Sequence, residues 1–87
     1  MQRDEDRYYR TASLQLAIYL YAKNQQIAGI NEVPNSGKKE FVFVFSPYLE
    51  KLVELYKFGD RADPDLFVPV HLYERARNEL LDRLNGN

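Results

Sequence analysis

The stretch from Lys38 to Phe45, KKEFVFVF, carries the side chains best suited to meet a ligand. In an extended chain alternate side chains point to opposite faces, so Phe41, Phe43 and Phe45 line one face while Val42 and Val44 line the other. Aromatic rings set two residues apart on a strand, with basic residues beside them, can stack on the bases of single-stranded nucleic acid. RNA-recognition modules carry such a strand as basic residue, Gly, aromatic, Gly or Ala, aromatic, aliphatic, any residue, aromatic. With Lys39 in the first position, Phe41 and Phe43 fall on aromatic positions and Val44 on the aliphatic one. Glu40 and Val42 stand where small residues are needed, and Ser46 replaces the last aromatic. On this reading Tyr9, Phe41 and Phe43 meet bases while Arg10, Lys38 and Lys39 meet phosphates, a weak single-stranded nucleic-acid binder.

Burial competes with that chemistry and is favoured over it. Burying one Phe side chain is worth roughly 1.5–3 kcal/mol. Three of them are a large share of the roughly 5–15 kcal/mol that holds a small domain together. Phe41, Phe43 and Phe45 are therefore expected in the core or at a protein interface. Lys38 and Lys39 beside a turn keep a hairpin soluble and block edge pairing.

Other reactive groupings are sparse. The sequence has no Cys, which removes disulfides, thiolate nucleophiles and zinc-thiolate sites together. His71 is the only His and has no facing carboxylate motif. Asp60, Asp63 and Asp65 lack the oxygen spacing, glycine and distal glutamate of a calcium loop, so they read as turn and cap residues. The nucleophile-elbow, phosphate-loop, dinucleotide-binding and zinc-protease motifs are all missing. No enzymatic activity, cofactor or metal is expected.

What remains is aromatic surface. Tyr19 and Tyr21 lie about 200° apart around a helix, so both cannot face one core. Tyr8 and Tyr9 raise the same problem on a strand. Tyrosine joins a large apolar body to a polar tip and is favoured at interfaces, which makes Tyr8, Tyr19 and Tyr21 candidate contact residues for a second copy or another protein.

The elements that must position these side chains follow from spacing and punctuation. Residues 1–6 are expected to fray, and residues 7–87 to form a single domain, opening with a short strand over 7–10. Thr11 or Ser13 caps a helix whose apolar positions Leu14, Leu16, Ala17, Ile18, Leu20 and Tyr21 spread well beyond one third of its circumference. Asn24 ends it. Gln26 to Val33 read as a strand, and Pro34-Asn35-Ser36-Gly37 as a hairpin turn leading into KKEFVFVF. A turn closed around Ser36 and Gly37 places Ile30 opposite Phe43 and Ala28 opposite Phe45, with Gly29 marking a bulge or close approach. Ser46-Pro47 opens a second helix with a buried stripe of Leu49, Leu52, Val53 and Tyr56, and Gly59 stops it. After a polar turn with an apolar lead-in at Leu66 and Phe67, Val68-Pro69 starts a third helix along Val70, Tyr73, Ala76, Leu80 and Leu84.

The order β-α-β-β-α-α predicts an α+β fold: a small antiparallel sheet of order 2-3-1, KKEFVFVF central, packed with three helices. The first two helices are expected on one face, and the last helix, a partner, or both on the other. Twelve Lys and Arg against thirteen Asp and Glu leave a net charge of −1, so no global field draws the chain to polyanions. The longest apolar run, Leu14 to Ala22, is about half of the ~20 residues that span a bilayer. The charged start MQRDEDRYYR is unlike a signal peptide. No membrane association and a cytoplasmic location are expected.

Tyr9-Arg10-Thr11, Leu16-Ala17-x-Tyr19-Leu20, Gly29, Phe41-x-Phe43, Leu52-x-x-x-Tyr56 and the closing leucine-rich helix together resemble an uncharacterised domain family of small bacterial and phage proteins, over nearly the whole chain. The resemblance implies an α+β domain of unknown function with no active site to carry over. The functional expectation is a non-catalytic protein-interaction module, self-associating or bound to another protein.

Overall fold

Apolar stripes and caps become elements as follows in a computed structural model, which describes residues 7–86. The expected fraying of residues 1–6 lies outside the described residues. Strand β1 (Tyr8–Thr11) leads into helix α1 (Leu14–Ala22), then strands β2 (Ile27–Glu32) and β3 (Lys39–Val44). Helix α2 (Pro47–Phe58), a single 3-10 turn (Pro64–Leu66) and helix α3 (Val70–Leu84) complete the order. The three strands form one antiparallel sheet, β1-β3-β2, with β3 in the middle.

Local chemistry sets the boundaries. The Ser13 hydroxyl accepts from the Leu16 N–H at 3.2 Å and starts α1, and Ser46 does the same for α2 from Leu49 at 3.0 Å, with Pro47 at the first helical position. Asn24 turns the chain after α1 with φ 65°, a left-handed conformation that Asn tolerates better than most residues. Leu66 and Phe67 form neither a strand nor part of α3: Leu66 closes the 3-10 turn and Phe67 is extended.

The hairpin register differs from the sequence expectation by two residues. Ile30 faces Phe41, not Phe43, and Ile27 faces Phe43, with a bulge between Ile27 and Gly29. The turn closes one residue earlier than supposed: the Val33 N–H donates to the Lys38 carbonyl at 2.8 Å, and Asn35 (φ 62°) and Gly37 (φ 69°) take the left-handed positions.

One apolar cluster joins all three helices to the sheet through Phe41 and Phe43, flanked by Tyr9, Ile27 and Ile30 on the same face. Leu16, Ala17, Ile18, Tyr19 and Leu20 are buried in succession, so α1 is covered all the way round. It has the sheet below it, α2 on one flank and α3 on the other, and α3 contributes Ala76 and Leu80 to the same core. Of the covers expected for the opposite sheet face, the last helix or a partner, α3 is thus not one: a helix apolar on every side needs two helical neighbours, and α3 is the second. On that opposite face Val42 is also buried, set between Arg10 and Gly29 of the adjacent strands.

Three positions expected in buried stripes are exposed. Phe45 lies just past the end of β3 and is 37% accessible; Tyr56 shows part of its ring, and Val70 projects from the first turn of α3.

Candidate interaction surfaces

The side chains proposed for base stacking do not share an open platform. Phe41 and Phe43 lie beneath the helices, 2% and 0% accessible, so neither ring can take a base without dismantling the core. Tyr9 faces the same side as Phe43 and packs half-buried against that cluster. Lys39 reaches back to donate its Nζ–H to the Leu84 carbonyl at 2.7 Å, where a cation also complements the C-terminal end of the α3 dipole. Arg10 belongs to the other sheet face, its Nη1 3.4 Å from Glu40 Oε1. Only Lys38 is left projecting from the hairpin end.

The three tyrosines proposed as contacts are also scattered. Tyr19 is 4% accessible, and its hydroxyl donates to the Asp65 carbonyl at 2.8 Å, tying α1 to the segment after α2. Burial raises the Tyr19 phenol above its usual pKa of 10.0, and nearby Tyr48, Asp65 and Asp63 push in the same direction. Tyr21 packs half-buried toward α3, with the Arg83 guanidinium 5.7 Å from its ring centroid. Its pKa rises chiefly through the neighbouring Glu79 carboxylate and then through burial, with Arg83 opposing. Tyr8 sits half-buried on the far sheet face opposite Val44. An internal latch, a helix-packing residue and a sheet-face residue do not make one interface.

The exposed rings of Phe45, Tyr56, Phe58 and Phe67 gather instead on the two flanks of α2, while Val70 and Leu72 are exposed on α3. On one, Tyr19, Tyr56, Leu66, Phe67, Val68 and Tyr73 line an open groove of about 560 Å³, with Gln15 and Arg61 among its walls. The Tyr56 ring leans on Tyr19 at 5.4 Å between centroids and 37° between planes. Lys23, which caps the end of α1 one turn after Tyr19, donates to the Phe67 carbonyl at 3.1 Å, so Tyr19 and Lys23 together pin the segment that carries Phe67. Phe67 itself remains 63% accessible.

On the other flank, Tyr9, Phe45, Val53 and Phe58 surround a notch of about 260 Å³, with Glu50, Glu54 and Lys57 around it. Phe58 is 84% accessible at the end of α2. Sequence reasoning passed over Phe58, although the signal was present. On a helix it falls about 180° from Leu49 and 140° from Val53, an aromatic residue off the buried stripe.

Among the described residues no cluster of His, Cys, Asp or Glu is placed to hold a metal ion. His71 faces solvent. Asp60 and Asp63 accept from the backbone N–H groups of Ala62 and Asp65, both at 2.9 Å, as turn and cap residues do. No described helix is long and apolar enough to cross a membrane. No family model, curated protein or solved structure matches this chain. The functional reading accordingly rests on the two flanks of α2.

Proposed function

We propose that the protein is a non-catalytic interaction module that self-associates through the Phe58 notch. The observation that carries this reading is a large aromatic side chain standing 84% accessible beside a concave apolar site on the same surface. A buried Phe is worth roughly 1.5–3 kcal/mol more than an exposed one, so a surface that leaves it in water has an available gain on association. Knob and notch belong to one patch, which lets two copies exchange them about a two-fold axis and close as a dimer. The rim has both signs of charge, so Lys57 of one copy can meet Glu50 or Glu54 of the other.

Light scattering at high micromolar concentration is expected to give twice the 10.3 kDa monomer mass. Phe58→Ser is expected to restore the monomer while leaving the fold unchanged. A mass of 10.3 kDa for the unaltered protein under those conditions rejects self-association.

A further inference from the structure

The end of α3 carries the one Asn-Gly pair of the sequence, Asn85-Gly86. We propose that Asn85 is a self-modifying site: the Gly86 backbone nitrogen converts it to aspartate and isoaspartate through a cyclic imide, at a rate governed by the hold of Lys39 on the last turn of α3.

The chemistry needs only hydroxide and water. Hydroxide removes the Gly86 N–H proton, and the nitrogen attacks Cγ of the Asn85 side chain. The new N–Cγ bond closes a ring as the Cγ–Nδ2 bond breaks and ammonia leaves. Water then adds to one of the ring carbonyls and opens it, giving aspartate when the original backbone is restored and isoaspartate when the chain is rerouted through the side chain. Nothing is oxidised or reduced.

Among the described asparagines, Asn85 alone has a glycine after it. Asn24, Asn31, Asn35 and Asn78 are followed by Gln, Glu, Ser and Glu, whose side chains crowd the attacking nitrogen. Asn31 and Asn78 are also fixed within β2 and α3. Even a Cβ built on Gly86 would meet nothing beyond its chain neighbours within 4 Å, so the approach is open.

The fold restrains the reaction without blocking it. Asn85 ends the helix with ψ 10°, its own N–H donated to the Leu81 carbonyl at 3.0 Å and the Gly86 N–H to the Arg83 carbonyl at 3.2 Å. Held this way the Gly86 nitrogen is a hydrogen-bond donor and not a nucleophile, so the last turn must open before the ring can close. Lys39 opposes that opening. Its Nζ–H, delivered from β3, donates at 2.7 Å to the Leu84 carbonyl, which belongs to the peptide bond joining Leu84 to Asn85, and Leu84 itself packs against the core. The product places a carboxylate at the negative end of the α3 dipole, beside the carbonyl that Lys39 holds, so it strains the helix end and competes for Lys39.

Incubation of the folded protein in mildly alkaline buffer, followed by peptide mass spectrometry and labelling with an isoaspartyl methyltransferase, tests this. Peptides containing residue 85 are expected to gain aspartate and isoaspartate as ammonia is released, and to do so severalfold faster in protein unfolded by guanidinium chloride. Gly86→Ala is expected to slow the conversion severalfold. Lys39→Met keeps the aliphatic stem and removes the donor; the position is exposed, so the variant is expected to fold, and conversion at Asn85 is expected to run about threefold or more faster. Asn35, followed by Ser, serves as the internal reference and is expected to keep its own rate. Absence of isoaspartate at residue 85, equal rates in folded and unfolded protein, an undiminished rate in Gly86→Ala, or an unchanged rate in Lys39→Met overturns the proposal. Equal acceleration at Asn35 and Asn85 in Lys39→Met overturns it too, because Lys39 would then act through the hairpin and not through Leu84.

Discussion

Phe43 and Phe58 are the same side chain in opposite settings. Phe43 lies at the centre of the middle strand, flanked by Tyr9 and Ile27 and roofed by the helices, with no accessible surface. Phe58 ends α2 on the far side of its buried stripe and stands almost free. The difference separates what the chain requires to fold from what it keeps available. Interior burial is dense around α1, whereas the surplus aromatic surface lies on the flanks of α2, where no element of the described chain covers it.

Truncating the two rings should break the symmetry of residue type most sharply. Phe43→Ala removes a fully buried ring and leaves a cavity, at a cost of about 3–5 kcal/mol. That is a large fraction of the roughly 5–15 kcal/mol available to a domain of this size. Urea titration is expected to show a steep fall in midpoint, or no folded baseline. Phe58→Ala is expected to stay within about 0.5 kcal/mol when followed at concentrations where the protein is monomeric. Comparable losses at the two positions would mean that Phe58 is part of the folding core after all.

Much of this contrast can be read in the sequence, because stripes and caps are local. The excess apolar circumference of α1 and the Ser46 cap follow from spacing and punctuation alone; Ser13 is one of two cap candidates beside Thr11, and the strand order follows once β1 is paired with β3. What fails to follow is set by tertiary choice. Pro34-Asn35-Ser36-Gly37 offers several possible turn centres, and composition does not pick the one that pairs Val33 with Lys38. The side on which α3 packs is equally silent, because Val42 and Phe43 make both faces of β3 apolar. The inference from Tyr19 and Tyr21 assumed one core beside α1. With a helix on each flank, both tyrosines find cover, one under the 60s segment and one against α3. Surface sites are the least legible: Phe67 reads as an apolar lead-in, and Phe58 shows only as an aromatic residue off the buried stripe of α2.

Gly59 ends α2 directly after the exposed Phe58. Its φ of −75° is open to any residue, so the constraint is space. A Cβ there would sit 2.5 Å from both the Leu55 carbonyl oxygen and a Leu55 methyl carbon. Gly59→Ala must shift the end of α2 and is expected to cost about 1–3 kcal/mol, as overpacking does. The same shift moves Phe58 relative to Phe45, so self-association should weaken along with stability. Denaturation and light scattering on one preparation check both, and an unaltered midpoint would show that Leu55 yields without strain.

Tyr19 is the hinge between the two settings, since its ring is interior while its hydroxyl holds the wall of the groove. Tyr19→Phe keeps the ring and removes the hydrogen bond to the Asp65 carbonyl, at about 0.5–1.5 kcal/mol. Hydrogen exchange is expected to quicken in the segment from Leu66 to Val68 and to stay unchanged in β3. The pH dependence gives an independent reading. The folded state holds the Tyr19 proton more tightly than the unfolded chain, whose phenol titrates near 10.0. The unfolded state therefore loses its proton first as pH rises, and the stabilisation, complete below that value, is lost from about pH 10 upward. Tyr21 shifts in the same direction, so Tyr19→Phe should flatten the alkaline decline only in part. A decline identical to that of the unaltered protein would show that Tyr19 ionises as freely in the fold as out of it, whereas unchanged exchange from Leu66 to Val68 would show that the latch to Asp65 does not hold the groove wall.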